Sequence, residues 1–348
     1  MRGVFFRKSK IVATISIFFV IIFMLLSFSS CKFKTVKRIE ETREMMGTYV
    51  NIVVYSDDET GNNAINAAFE KIKEIEDIAT IYDENSEASF LNKNGYIEDP
   101  SPVLLDLINK SIDYYGITDG CFDVTVQPLL DLWSGGLWEE SEEVQAQKIG
   151  ETLEIIGSDK IEVGDNRIEF ETEGMSITFG GIAKGYAVDK AIEKIKEFGI
   201  KCCLVNAGGD LYTMGVKPDG EKWIVELENP DDQAGEESTE ESDIEPVIVF
   251  SVADKAVTTS GGYHRYYDLE KKVHHIMDPR TGYTAGDCKS VTIIAGSCTE
   301  ADILATSVFV MGPDDGMKLV ESLDNVEALI IDSGGKVYKS SGLLEYIK

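Results

Sequence analysis

Residues 290–312 read SVTIIAGSCTEADILATSVFVMG, and the way this stretch divides decides the fold. Residues 290–294 are rich in β-branched side chains and predict a strand. Residues 300–306 then lie on an apolar helix. Asp302 and Thr306 stand at i and i+4, so their oxygens project from one face, one turn apart. Their neighbours are Ile, Leu, Ala, Val and Phe, so that face is expected to be buried. A buried carboxylate needs a partner, and a hard cation such as Mg²⁺ is a suitable one. The other reading makes Asp302 a helix-start residue and Thr306 a hydroxyl bonded back to its own helix.

Outward from this stretch the same mixture recurs. Residues 48–55 (TYVNIVVY) predict a strand and residues 62–78 a helix; residues 102–115 predict a second helix that ends before Gly116. Between residues 161 and 177, the runs KIEV, RIEFET and SITF surround Gly164-Asp165-Asn166 and predict strands in an antiparallel hairpin. Residues 185–198 predict a helix, and residues 202–205 a short buried strand. Strands come in clusters rather than in βαβ alternation, so the class is α+β.

The 348 residues carry 33 Lys+Arg against 62 Asp+Glu, a net charge of −29. A phosphate backbone is held by cationic surfaces, so nucleic acid is excluded as a partner. With 43% hydrophobic residues the chain has material for a core. Ten of the acids fall in residues 226–245 without one Lys or Arg, which predicts a self-repelling, solvated acidic loop over residues 228–246. Without those ten the balance would be −29 + 10 = −19.

Arg2, Arg7, Lys8 and Lys10 precede an apolar run over residues 11–26, the pattern of a signal peptide. Phe28-Ser29-Ser30-Cys31 resembles a bacterial lipobox, in which the cysteine is lipidated; the alternative is a retained anchor helix. The expected organisation is a lipoprotein signal peptide at 1–30, a membrane-proximal tether at 31–44 and one catalytic domain at 45–348. The chain is then exported and lipid-anchored through Cys31 to the cell (inner) membrane, facing outward or into the periplasm. Cys121, Cys202, Cys203, Cys288 and Cys298 form no CxxC pair and are expected to be small buried hydrophobes.

Further polar clusters stand where strands end. Met46-Gly47-Thr48 precedes the first strand. Residues 178–185 (TFGGIAKG) open a helix, where glycines let backbone approach a phosphate and the helix N-terminus favours negative charge. All three histidines, His264, His274 and His275, fall within twelve residues, and histidine is the side chain suited to take a proton near neutral pH. An exposed hairpin would account for them equally well.

In order, Met46-Gly47-Thr48, GCFDVTVQPLLDLW (120–133), GGIAKGYAVDK (180–190), LVNAGGDLYTMG (204–215), TSGGYHRYY (259–267), HHIMDPRTGYTA (274–285) and residues 290–312 resemble the ApbE family of flavin transferases. The resemblance implies an ApbE-like (T-fold-like) mixed sheet core with flanking helices and a helical subdomain. It also implies an enzyme that binds FAD and, with Mg²⁺, transfers FMN to a Ser or Thr hydroxyl of an acceptor protein, releasing AMP. Acceptors of that family are redox subunits of the Rnf or sodium-pumping NADH:quinone reductase type, or other exported flavoproteins.

Carried over by motif position, Gly181, Asp302 and Thr306 match metal ligands, the first through its carbonyl. Met46, Tyr82, Cys121, Phe122, Asp123, Thr178, Lys184 and Ile276 match positions that line FAD. His275 is the expected general base, with Asp278 as second candidate. The sequence departs from the family's pattern at Thr178 (often Asp), Gly262 (often acidic), His264 (often Glu) and Gln127 (usually Gly). The alternatives are an FAD pyrophosphatase with water as nucleophile and a non-catalytic FAD-binding lipoprotein.

Overall fold

Along the chain the elements are β1 (Lys37–Met45), β2 (Thr48–Ser56), α1 (Asp58–Ala79), α2 (Glu87–Asn94), β3 (Tyr96–Glu98), α3 (Pro102–Ile117), α4 (Gln127–Ser134), α5 (Glu142–Leu153), β4 (Ile161–Val163) and β5 (Arg167–Phe170). There follow α6 (Ala183–Glu197), β6 (Cys203–Ala207), β7 (Asp210–Met214), β8 (Trp223–Leu227), β9 (Ile248–Val252), β10 (Lys255–Gly261), β11 (Tyr266–Asp268), β12 (Val273–His274), β13 (Cys288–Ala295), α7 (Cys298–Met311), α8 (Pro313–Ser322), β14 (Glu327–Asp332) and β15 (Val337–Lys339). This computed structural model describes residues 35–230, 247–262, 266–268 and 273–348. Cys31, His264 and most of the expected acidic loop lie outside the described residues. Among the described residues no helix is long and apolar enough to cross a membrane.

Eight strands form the main sheet in the order β1-β2-β6-β7-β10-β13-β14-β15. Each pair from β2 to β15 is antiparallel. Both faces are covered, which is why β13 is buried almost throughout. One face packs Val205, Val291 and Ile293 against Phe69 and Ile72 of α1, Val188 and Ile192 of α6, and Ile303 and Phe309 of α7. The other packs Val53, Leu211, Val257 and Ile294 beneath Trp223, Phe250 and Val252 of the β8–β9 hairpin. A separate three-stranded sheet, β3-β5-β4, accompanies α2 to α5 and supplies the helical part of the fold.

Three expectations are corrected. The tether does not reach residue 44, because Lys37–Met45 is the edge strand β1. Its charged sequence KRIEETREM hides a period of two: Ile39, Glu41, Arg43 and Met45 are half-buried, and Arg43 covers the Phe69 ring with its guanidinium 4.1 Å from the centroid. SITF is not a strand. Asn92 takes the place of a strand partner, accepting from Ile177 N at 2.7 Å and donating to Ile177 O at 2.8 Å. Helix α3 also runs past Gly116 to Ile117, where Thr118 closes it by donating its hydroxyl to Tyr114 O at 2.7 Å.

Helices α6 and α7 meet through an exchange of carboxylates. The N-cap of α6, Ile182, has no capping side chain, and the Gly185 N–H donates instead to Asp302 Oδ2 on α7 at 2.9 Å. In return Asp189 on α6 accepts from the Cys298 and Thr299 N–H groups at the start of α7, both at 2.8 Å, and from Thr299 Oγ1 at 2.6 Å. Each anion thus sits on the positive end of the other helix. Contact is so close that a Cβ on Gly185 would lie 2.3 Å from Cys298 O and 2.8 Å from Asp302 Cβ. Gly185→Ala is therefore expected to cost about 2 kcal/mol or more, because backbone cannot yield as a side chain does. Urea unfolding measures it, and a variant as stable as the wild type would contradict this packing.

Candidate functional site

The β1–β2 hairpin turns at Met46-Gly47, both with positive φ (54° and 70°), as a two-residue primed turn requires. A left-handed Met costs of order 1 kcal/mol or more. It is held there by Glu76, whose Oε1 accepts from Met46 N at 2.6 Å. Tyr82, just beyond α1, is 84% exposed.

Residues 120–123 and 278–282 come together. Gly120 lies against the Arg280 side chain, and the charges of Arg280 and Asp278 act on the Cys121 thiol. Burial pushes that thiol up to about 11, against the opposing pull of Arg280, so Cys121 lines the site as a neutral group. Asp123 Oδ1 accepts from Thr125 N, Thr125 Oγ1 and Ser158 Oγ at 2.8, 2.6 and 2.7 Å. Burial raises this carboxylate above its usual range while those bonds pull it down. Asp123 also borders a cleft of about 330 Å³ with Tyr115, Gly120, Ile156, Pro279 and Arg280, within the size range of small-molecule sites.

Asp278 has a bracing geometry. Its Oδ1 accepts from Arg280 N and Nε at 2.9 Å, and its Oδ2 from Arg280 Nη2 at 3.0 Å. With both oxygens bonded to a guanidinium, it shapes the turn that ends at Gly282. Trp133 Nε1 ties the same turn to α4 by donating to Gly282 O at 2.8 Å.

His274 and His275 part company. His274 is buried, and its Nδ1 accepts from Ile276 N at 3.2 Å. Its ring meets Phe309 and Tyr266 edge-on. A Cβ on Gly262 would lie 2.6 Å from His274 Cδ2, so this ring fills the space a side chain at 262 would need. That accounts for a glycine at this position. His275 is half-buried, its ring 6.3 Å from that of His274, and Ile276 is buried between them and the core.

The remaining candidates converge on the α6–α7 junction. A Cβ on Gly181 would lie 3.2 Å from both Thr306 Oγ1 and Phe122 Cε2, so the 181 backbone rests on the Thr306 hydroxyl. Thr306 Oγ1 is also 3.3 Å from Ser260 Oγ on β10. Thr178 N donates to Val124 O at 2.8 Å, which joins this loop to the 121–124 segment. Lys184 forms an ion pair with Asp210. Burial pulls the Lys184 ammonium down, but the carboxylates of Asp210 and Asp302 more than offset this and hold it above its ordinary value. Burial first, and the charge of Asp210 second, raise Asp302 above the usual carboxylate range.

Among the described residues no three His, Cys, Asp or Glu side chains gather as a metal cluster. The set at hand is one buried carboxylate, one hydroxyl and a close backbone, all hard oxygen donors. It fits Mg²⁺, which binds through one or two carboxylates and completes its shell with water and substrate phosphate. Asp189, Ser260 and Arg280 do not stand out from sequence as individual site residues. The only local signal was Asp189 at i+4 from Gly185.

Comparison with known proteins places this geometry in context. Residues 46–330 match the model of the ApbE family. The FAD:protein FMN transferase of Vibrio cholerae is 29% identical, over 93% of this chain and 96% of that protein. That of Haemophilus influenzae is also 29% identical, over 91% and 93%. The crystal structure of the ApbE protein from Thermotoga maritima superposes with a TM-score of 0.78 at 30% identity, covering 90% of this chain and all of that one. The flavin transferase ApbE from Vibrio cholerae gives 0.72 at 28% identity, covering 89% and 99%.

The buried His274 makes stability pH-dependent. Burial first, then the charge of His275, lower it from 6.5 to about 4, against the Ala285 carbonyl. The unfolded chain takes up this proton at higher pH than the folded one, so stability is full above about 6.5 and falls as pH drops toward 4. The loss amounts to about 3 kcal/mol. Urea unfolding of wild type and His274→Phe at pH 7 and pH 4.5 measures it; equal losses in both would refute the assignment.

Proposed function

The chain belongs to the ApbE family, and from that premise we propose that it is an FAD:protein FMN transferase. The observation that carries the reading is the convergence of Gly181, Lys184, Asp302 and Thr306 at one helix junction, beside the loop that holds Cys121, Phe122 and Asp123. The substrate is an anionic dinucleotide, and its phosphates would face Lys184 and the start of α6, where backbone N–H groups and the helix dipole favour negative charge.

In this reading Asp302, Thr306 and the Gly181 carbonyl hold Mg²⁺, which when bound neutralises the diphosphate charge. His275, on the turn after β12, takes the proton from the acceptor Ser or Thr hydroxyl. That oxygen bonds to the FMN phosphorus as the bond from this phosphorus to the bridging oxygen breaks, and AMP leaves with that oxygen. Half-burial of His275 leaves it reachable from solvent, as a base serving a protein acceptor requires. Asp278 keeps the turn in shape through Arg280.

The N-terminal pattern supports export, lipidation at Cys31 and a membrane-anchored enzyme. Acceptors are then exported redox subunits of the Rnf or sodium-pumping NADH:quinone reductase type.

Incubation with FAD, Mg²⁺ and a candidate acceptor should add the mass of FMN, less water, to the acceptor. Free FMN with none on the acceptor would point to the pyrophosphatase instead. Asp302→Asn should slow transfer by about two orders of magnitude or more. His275→Asn should lower kcat by about 100-fold or more while leaving FAD affinity near that of the wild type. Cys31→Ser should move the protein from the membrane to the soluble fraction on cell fractionation.

A further inference from the structure

Lys184 and Asp210 carry a consequence beyond binding phosphate. The Asp210 side chain is 4% exposed and that of Lys184 33%, so the carboxylate is fixed inside while part of the lysine side chain stays open to solvent. The charge of Lys184 acts on Asp210 and Asp302 alike. Two buried carboxylates thus share one cation, and one of the two, Asp302, is the only carboxylate in the metal set described above.

A second observation concerns Thr258. Strand β10 pairs with β7 through Lys255 opposite Thr213, Ala256 opposite Tyr212 and Val257 opposite Leu211, so the next position sets Thr258 across from Asp210. Residues opposite one another in an antiparallel pair point to the same face. Thr258 is wholly buried, and its Oγ1 is one of two buried side-chain oxygens or nitrogens without a hydrogen-bond partner among the described residues. A buried hydroxyl left unpaired is costly, and one at the register position opposite a carboxylate is placed to become its donor.

We propose that Lys184 is an exchangeable counter-cation: Asp210 keeps it beside Asp302 until a divalent cation takes over Asp302, whereupon the ammonium turns to the substrate phosphates and the Thr258 hydroxyl replaces it on Asp210. Asp210 is a positioning residue, acting on the reaction through Lys184. The physical reason is electrostatic. A divalent cation and an ammonium repel each other at close range in a poorly solvated site, so entry of one favours release of the other. Loss of Lys184 would leave Asp210 buried and unpaired unless a donor stands ready, and Thr258 is that donor. The arrangement couples metal loading to phosphate binding without moving the backbone. It rests on the metal reading given under Proposed function.

The test is Mn²⁺ binding to the full chain in detergent, followed by electron paramagnetic resonance, with the metal alone and then with ADP. Lys184→Met removes the competing cation and should bind Mn²⁺ at least ~5-fold more tightly than wild type. Asp210→Asn leaves Lys184 to Asp302 alone and should bind it at least ~5-fold more weakly. The double variant should return to within about twofold of wild type, because the two charges removed offset each other. Thr258→Val should melt no lower than wild type without metal, since it removes an unpaired hydroxyl, and should weaken the gain in Mn²⁺ affinity that ADP confers. A purely structural ion pair would lower the melting temperature in both single variants and shift metal affinity in neither. That result, or shifts of the same sign in both, overturns the proposal. If the wild-type chain binds no Mn²⁺ in either condition, the metal reading itself falls, and this proposal falls with it.

Discussion

Two helices that begin at opposite ends of one contact, each capped by a carboxylate from the other, hold this site together. Asp302 on α7 receives the Gly185 N–H of α6, and Asp189 on α6 receives the first N–H groups of α7. Free N–H groups at a helix start must be satisfied, and a carboxylate satisfies them while complementing the dipole. The exchange fixes the two helices in register. It therefore also fixes Gly181 against Thr306, and Lys184 between Asp210 and Asp302. Gly185 is what permits the approach, since any side chain there would meet the carbonyl of Cys298. Asp302 thus serves the fold through one oxygen, and in the proposed reading the same carboxylate would hold the cation.

The same constraint accounts for the electrostatics. A chain of net charge −29 has no global attraction for an anionic dinucleotide. Binding must be local, and the local means are a helix N-terminus and one lysine, joined in the proposed reading by a hard cation. Burial raises the cost of leaving any of these charges unpaired, so they occur as a connected set rather than singly. The eight-stranded sheet supplies the floor: β7 and β10 carry Asp210, Thr258 and Ser260 to the face on which α6 and α7 pack. The β8–β9 hairpin covers the opposite face and keeps the sheet dry.

Much of the fold was legible in the sequence. The strand–helix division of residues 290–312, the helix opened by residues 180–185 and the antiparallel pairing near residues 161–170 each carry a local period or turn signal, and each stands in the structure. What was misread shares one cause. In β1, an arginine stem packed on Phe69 does the work of an apolar residue. On α2, the Asn92 side chain does the work of a strand. In both places a polar residue performs a structural task that hydrophobic patterning assigns to something else. The histidines divided for a similar reason: His274 and His275 are adjacent and alike in composition, but a glycine at 262 makes room for only the first to turn inward.

Sequence alone determined the donors: which carboxylates, hydroxyls and imidazoles exist, their spacing on helices and strands, the net negative charge, and the ordered motifs of the ApbE family. These are properties of composition and of neighbours within one helical turn or one strand repeat. Tertiary structure alone decided which donors meet. The bonds joining α6 to α7 span 117 and 109 residues of sequence, and Leu211 faces Val257 only because two strands pair in one register. No period of two or 3.6 encodes such contacts, because they arise when separate elements pack and their buried polar groups must find one another.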